Sequence, residues 1–157
     1  MEWKRGDIEG VHLIELKRYE DERGHLMETF RRDELPVQLE CAMSYMSITK
    51  QGQSRGPHEH RDQTDVFSFI GPGKFLLKLW DNRESSPTHG NYLELEVGEG
   101  RPATVIVPPG VVHGYKNLSE WPAMVLNYPD RLYRGEGKKQ DVDEIRYEGD
   151  ETSPFRL

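Results

Sequence analysis

Apolar and polar positions alternate along this chain in short runs, each cut off by glycine or proline before it grows long. The clearest run spans residues 92–97. There Leu93, Leu95 and Val97 fall on one side of an extended strand and Glu94 and Glu96 on the other. Comparable β-type runs cover residues 11–19, 25–30, 42–49, 65–70, 74–80, 103–107 and 123–128. Gly71-Pro72-Gly73 and Pro108-Pro109-Gly110 are strong turn signals among them. Only residues 31–35 read as a short helix. Many short strands with almost no helix predict an all-β sandwich or barrel. From Gly135 onward the chain turns charged and glycine-rich, so residues 135–157 are expected to form a loosely packed tail.

A length of 157 residues fits a single domain, residues 1–157, with one real core. Although 31% of residues are charged, 10% are aromatic, which argues against a disordered chain. The net charge of −7 makes nucleic acid and anionic membranes poor partners, because both need a cationic face. Cys41 is the sole cysteine, which excludes an intrachain disulfide and a cysteine-rich zinc site. The opening Met1-Glu2-Trp3-Lys4-Arg5 has no apolar signal region, and no apolar stretch is long enough to span a bilayer. A soluble cytoplasmic protein is expected.

Chemistry concentrates in two places. Arg55-Gly56-Pro57-His58-Glu59-His60 puts two imidazoles at i and i+2, on one face of a strand, with Glu59 on the other. Asp65 opens the next strand, so two histidines and a carboxylate meet across an expected hairpin. Such a donor set suits a borderline divalent metal. His113 follows Pro108-Pro109-Gly110 and precedes Asn117 by four residues, and it supplies a further donor. His12, His25 and His89 stand in no such pattern and are read as structural or surface residues. Arg131, Arg134, Lys138 and Lys139 are interleaved with acidic residues and are read as solvated surface.

His58-x-His60 followed by Asp65 resembles the first cupin motif, with Asp in place of the usual Glu. Pro108-x-Gly110-x-x-His113-x-x-x-Asn117 resembles the second. Asp21-Glu22-Arg23-Gly24 with Met27-Glu28-Thr29-Phe30 is similar to the N-terminal signature of the dTDP-4-dehydrorhamnose 3,5-epimerases. So are Arg55-Gly56-Pro57-His58, Ser86-Pro87-Thr88-x-Gly90, Pro108-Pro109-Gly110-x-x-His113-Gly114 and Ile145-Arg146-Tyr147. The resemblance implies a cupin-type jelly-roll barrel, usually a homodimer. It also implies a nucleoside-diphosphate 4-keto-6-deoxysugar as substrate and a role in surface polysaccharide or deoxysugar synthesis. On that reading no cofactor is required. His58 would be the base, Arg55 would hold the pyrophosphate or ketone region, and His113 would line the substrate site. Arg23 and Glu28 would touch the nucleotide across the dimer interface.

Three positions depart from the family. Asp65 stands where the family has a lysine near the ketone. Leu126 aligns with its catalytic tyrosine. The C-terminal segment that supplies an aspartate to orient the histidine is absent or replaced. Tyr128 is two residues beyond Leu126, so it would share that strand face and take over as the acid. Asp65 and His60 in turn shift the pocket toward a metal site formed by His58, His60, Asp65 and His113, taking zinc, iron, manganese or nickel. His58 would then be a ligand, and Tyr115 or Tyr128 would be left as base. Three functions stand side by side at this point. One is a keto-sugar-nucleotide isomerase. Another is a metallo-cupin of a different class, such as an oxygenase or sugar isomerase. The third is a sugar-nucleotide-binding cupin without turnover.

Overall fold

The computed structural model describes residues 2–157. Its strands, in chain order, are β1 (Lys4–Arg5), β2 (His12–Glu15), β3 (Arg18–Asp21), β4 (Gly24–Met27), β5 (Tyr45–Thr49), β6 (Ser54–His60), β7 (Asp65–Phe69), β8 (Lys74–Asp81), β9 (Asn91–Gly98), β10 (Ala103–Val107), β11 (Val111–Asn117), β12 (Ala123–Asn127) and β13 (Glu144–Arg146). They form a six-stranded sheet ordered β1-β9-β8-β11-β6-β13, a five-stranded sheet ordered β2-β10-β7-β12-β5, and a separate β3–β4 hairpin. From β5 to β8, and again from β9 to β12, the chain passes from one large sheet to the other at each step. This is the connectivity of a jelly roll, as the cupin resemblance implies.

Alternation within each strand decides what fills the interior. Phe67 and Phe69, Phe75, Leu77 and Leu79, Val105 and Val107, Val111 and Tyr115, and Ala123 and Val125 all point between the sheets and are buried. Each large side chain removed from water in this way contributes roughly 2 kcal/mol. Apolar packing therefore closes one end of the barrel. At the other end the inward positions are His58, His60, Asp65, His113 and Asn127, and the site is built there.

A second cluster seals the outer face of the six-stranded sheet. Trp80 and Val112 pack with Phe155, and Trp3, Tyr92, Tyr147 and Leu157 lie against them. The segment 135–157 is therefore not a loose tail. β13 pairs antiparallel with β6, with Glu144 opposite His60 and Arg146 opposite His58, and Phe155 is 3% exposed. The anchoring aromatics are too widely spaced among charged residues to show a strand or helix period. The helix expected at residues 31–35 is absent. A single turn forms there, closed by Glu34 N–H donating to the Arg31 carbonyl, and Pro36 bars its continuation. The predicted run 11–19 breaks into β2 and β3 where Leu16 N–H bonds the Pro102 carbonyl and the chain leaves the sheet. No helix among the described residues is long and apolar enough to cross a membrane.

The loop after β8 is tied by one buried carboxylate. Asp81 accepts hydrogen bonds from Arg83 Nε at 2.8 Å, Arg83 Nη2 at 2.9 Å, Ser86 Oγ at 2.6 Å and Thr88 Oγ1 at 2.5 Å. This network accounts for the Ser86-Pro87-Thr88-x-Gly90 pattern in structural terms.

Candidate functional site

On a regular strand Arg55 and His58, three residues apart, would face opposite sides. Here β11 pairs His113 with His58 but Tyr115 with Arg55, two residues against three. The difference is a β-bulge at Gly56-Pro57, and it returns Arg55 and His58 to the interior side. Gly56 takes φ 78°, and a Cβ there would lie 2.6 Å from the His113 carbonyl oxygen, so the bulge requires glycine. The freed Gly56 N–H donates to Glu148 Oε1, from the C-terminal segment. Beyond the bulge, His58 and His60 share the inner face. Glu59 faces outward, is buried beneath the C-terminal segment, and accepts from Tyr147 Oη and Asn82 Nδ2.

His58, His60, Asp65 and His113 each present one donor atom, and these atoms lie within 4.8 Å of one another. The carboxylate does not come from a hairpin partner, as the spacing predicts. β6 and β7 belong to facing sheets, so Asp65 reaches the histidines across the barrel. Asp65 Oδ2 is 3.1 Å from His60 Nε2 and 3.2 Å from His113 Nε2. The other ring nitrogens face backbone carbonyls: His60 Nδ1 meets Asp143 O at 2.7 Å, and His113 Nδ1 meets Val111 O at 3.0 Å. A carbonyl only accepts, so each Nδ1 carries a hydrogen and each neutral ring turns the lone pair of Nε2 toward the carboxylate. Asp65 Oδ2 and His113 Nε2 are buried with no hydrogen-bond partner. Lone pairs converging on one carboxylate oxygen need positive charge between them, as a proton or a metal ion.

Burial, reinforced by His113 and His60, holds His58 well below the usual histidine range, so it is neutral. Burial also pulls His60 down, but the neighbouring Asp65 carboxylate outweighs it and leaves His60 raised. Burial alone would raise Asp65, yet His113 and His60 hold it far below the usual carboxylate range.

The structure moves several expected site residues elsewhere. Tyr128 does not enter the pocket. It continues the outward face of β12 with Met124 and Leu126, bonds Thr29 Oγ1 at 3.1 Å, and lies against Phe30. Tyr115 does point inward, but it is packed among Phe67, Phe69 and Phe75 and is 3% exposed. Arg55 is exposed near the start of β6, with Nε donating to Thr49 Oγ1 and Nη2 to the Ile48 carbonyl of β5. Arg23 sits at the tip of the exposed β3–β4 hairpin and pairs with Asp21, while Glu28 pairs with Arg31. Neither has a hydrogen bond or ion pair to the histidine cluster.

Other residues join the site without any signal in local spacing. Glu144 Oε1 lies 3.6 Å from His58 Nδ1. Gln63 Nε2 bonds Asp65 Oδ1 at 2.9 Å and lies 3.2 Å from His60 Nε2. Asn127 Nδ2 bonds Asp65 Oδ1 at 2.8 Å. The Asp143 carboxylate accepts from the backbone N–H groups of Arg61, Asp62 and Gln63, which fixes β13 against the end of β6.

Comparison with known proteins agrees with this arrangement. A probable low-salt glycan biosynthesis epimerase, Agl13 of Haloferax volcanii, is 34% identical over 89% of this chain and 87% of its own. The spore coat polysaccharide biosynthesis protein SpsL of Bacillus subtilis is 31% identical over 94% of this chain and 95% of its own. The crystal structure of a dTDP sugar isomerase from Desulfovibrio desulfuricans G20 superposes with a TM-score of 0.82 at 26% identity, covering 95% of this chain and 91% of that one. The family model of dTDP-4-dehydrorhamnose 3,5-epimerase matches residues 5–143, and with that span this chain belongs to the dTDP-4-dehydrorhamnose 3,5-epimerase family.

Proposed function

We propose that the protein is an epimerase acting on a nucleoside-diphosphate 4-keto-6-deoxysugar in surface polysaccharide or deoxysugar synthesis. The observation that carries this reading is His58. It is an imidazole held neutral by burial, on the inner face of the barrel, with a carboxylate beside Nδ1. A ketone at C4 acidifies the hydrogens on C3 and C5. A neutral imidazole can remove one of them, and the electron pair moves onto the ketone oxygen as an enolate. Arg55, brought to the same strand face by the bulge, supplies cationic charge for the pyrophosphate or the enolate oxygen, and His113 lines the same pocket. The names of Agl13 and SpsL support the assignment to glycan synthesis.

The protein is further proposed to work as a cytoplasmic homodimer. The β3–β4 hairpin supports this, since it carries Arg23 on a two-stranded arm almost wholly exposed in a single chain. Arg23, with Glu28 just beyond the arm, fits the nucleotide of a partner's site.

The direct test is proton NMR in D2O with a thymidine-diphospho-4-keto-6-deoxyhexose. Deuterium should enter next to the ketone and an epimer should appear. His58→Ala should lower exchange about 1000-fold while leaving the unfolding midpoint in place. If the wild-type protein exchanges no hydrogen of any pyrimidine-nucleotide 4-keto sugar, the epimerase reading fails.

A second reading is favoured by the unpartnered Asp65 Oδ2 and His113 Nε2. His58, His60, Asp65 and His113 fit a divalent ion such as zinc, iron, manganese or nickel, because their donor atoms converge and two of the ring tautomers are fixed by backbone carbonyls. When bound, such an ion would supply Lewis acidity at the ketone oxygen. His58 would then be a ligand, and the proton would be taken by another group.

A further inference from the structure

Inversion of a carbon centre requires two groups. One takes the proton from one face, and another returns a proton to the opposite face. Tyr128 faces outward, and the hydroxyl of Tyr115 lies deep in the core beside Ser47 Oγ at 3.2 Å. Tyr45 is placed differently. It opens β5, the edge strand of the sheet that faces His58, and it stands opposite Asn127. It is 43% exposed, so an incoming ligand can reach its ring.

Its hydroxyl oxygen lies 2.9 Å from Asn127 Nδ2. The same amide nitrogen donates to Asp65 Oδ1 at 2.8 Å, and Asn127 Oδ1 accepts from Val66 N–H at 3.0 Å. The amide orientation is therefore settled, because a flipped amide would set its oxygen against the carboxylate and its NH2 against a backbone N–H. Asn127 must donate to Tyr45, so the phenol oxygen accepts and the phenolic hydrogen remains uncommitted. Asn127 thus holds the Tyr45 oxygen in place while leaving its proton available.

We propose that Tyr45 is the catalytic acid of this chain, delivering a proton from the sheet opposite His58 to the face that His58 does not serve. The proposal rests on the epimerase reading. In the step, the Tyr45 O–H bond breaks and a C–H bond forms. The enolate collapses to the ketone, and water later reprotonates the phenolate. Burial raises the phenol. The Asn127 hydrogen bond opposes that effect, Asp65, Tyr115 and Glu144 reinforce it, and the result is about 12, so Tyr45 keeps its proton at neutral pH. The family position taken here by Leu126 needs no tyrosine if Tyr45 does this work.

Tyr45→Phe separates the two half-reactions. His58 would still remove a hydrogen and return solvent deuterium to the same face. Deuterium entry with retained configuration should therefore persist within a few-fold of wild type, while formation of the inverted sugar falls about 100-fold. Replacing Tyr45 by a fluorinated tyrosine, which keeps the ring and a more acidic hydroxyl, should restore inversion. Inversion at the wild-type rate in Tyr45→Phe would overturn the proposal. So would exchange and inversion falling together in a variant that unfolds at the wild-type temperature. If Tyr45→Phe does not fold, the fluorinated variant decides alone: its more acidic hydroxyl should move the alkaline loss of inversion to lower pH while exchange keeps the wild-type profile, and an unmoved inversion profile refutes the role. Absence of exchange in wild type would instead sink the epimerase reading, and this inference with it.

Discussion

Glu144 and His58 sit on neighbouring strands, with Oε1 of the carboxylate 3.6 Å from Nδ1 of the imidazole and both side chains largely buried. Arg146 holds the other oxygen, donating to Glu144 Oε2 at 2.8 Å. The carboxylate is thus fixed by one partner and free to orient the other. A hydrogen on His58 Nδ1 directed at Glu144 leaves Nε2 as the basic nitrogen, and the imidazolium formed on proton abstraction would draw the pair closer. Glu144→Gln keeps the shape and removes the charge. It should lower kcat for deuterium exchange about 100-fold with little change in KM and no change in the unfolding midpoint. An unaltered kcat would show that Glu144 only braces β13.

The contact between His113 and Asp65 makes a prediction that needs no substrate. On the metal reading, a divalent ion at the four-residue cluster would be detectable by elemental analysis at about one per chain after incubation with zinc or manganese. Ligand-linked stabilisation at 100-fold excess over Kd is about 2.7 kcal/mol, or roughly 5–10 °C in a chain of this size. Adding a chelator should reverse that shift, and Asp65→Asn should abolish it. A wild-type protein that neither retains metal nor shifts its midpoint would return His58, His60 and His113 to purely protonic roles.

How much of this site was legible depended on the distance over which its residues are related. His58 and His60 could be read because a strand repeats every two residues, and the turn before His113 marks it locally. Tyr128 does share the face of Leu126, as the two-residue period predicts, but that face is the outer one of β12 and not the pocket side. The inward members are Val125 and Asn127. β5 inverts the usual pattern: Met46 and Ile48 are 56% and 45% exposed, while Ser47 bonds the buried Tyr115 and Thr49 bonds Arg55 across to β6. Reading apolar as inward along 42–49 therefore hides Tyr45. Glu144 was hidden more deeply, since its strand exists only because it pairs with β6, 84 residues earlier at Glu144↔His60. Its flanks carry no alternation.

Phe155 tests whether that segment belongs to the folded unit. It is buried against Trp80 at 5.6 Å, Tyr147 at 4.7 Å and Trp3 at 5.4 Å between ring centroids. Phe155→Ala should cost about 3–4 kcal/mol and lower the unfolding midpoint by roughly 10 °C. Epimerase activity should be lost more steeply than the fold as temperature rises, because Glu144 and Glu148 reach the site from the same segment. Denaturant unfolding of the variant with a midpoint equal to wild type would mean that the tail is dispensable.

Asp81 sets an acid limit on stability. Burial would raise its carboxyl, but Arg83 first, then Ser86 and Thr88, hold it well below the ordinary value of 3.8. A group depressed in the folded state takes up its proton first in the unfolded chain, whose aspartates titrate near about 4. The stabilisation is therefore complete above that pH and is lost progressively as pH falls toward the folded-state value. Asp81→Asn should cost about 2 kcal/mol at pH 7, since Arg83 loses its charged partner and Ser86 and Thr88 lose a carboxylate acceptor. The variant's stability should then fall less steeply below pH ~4 than that of wild type. Urea unfolding at a series of pH values reads both quantities. Parallel acid limbs for the two proteins would show that the Asp81 network holds the 86–90 loop without governing acid stability.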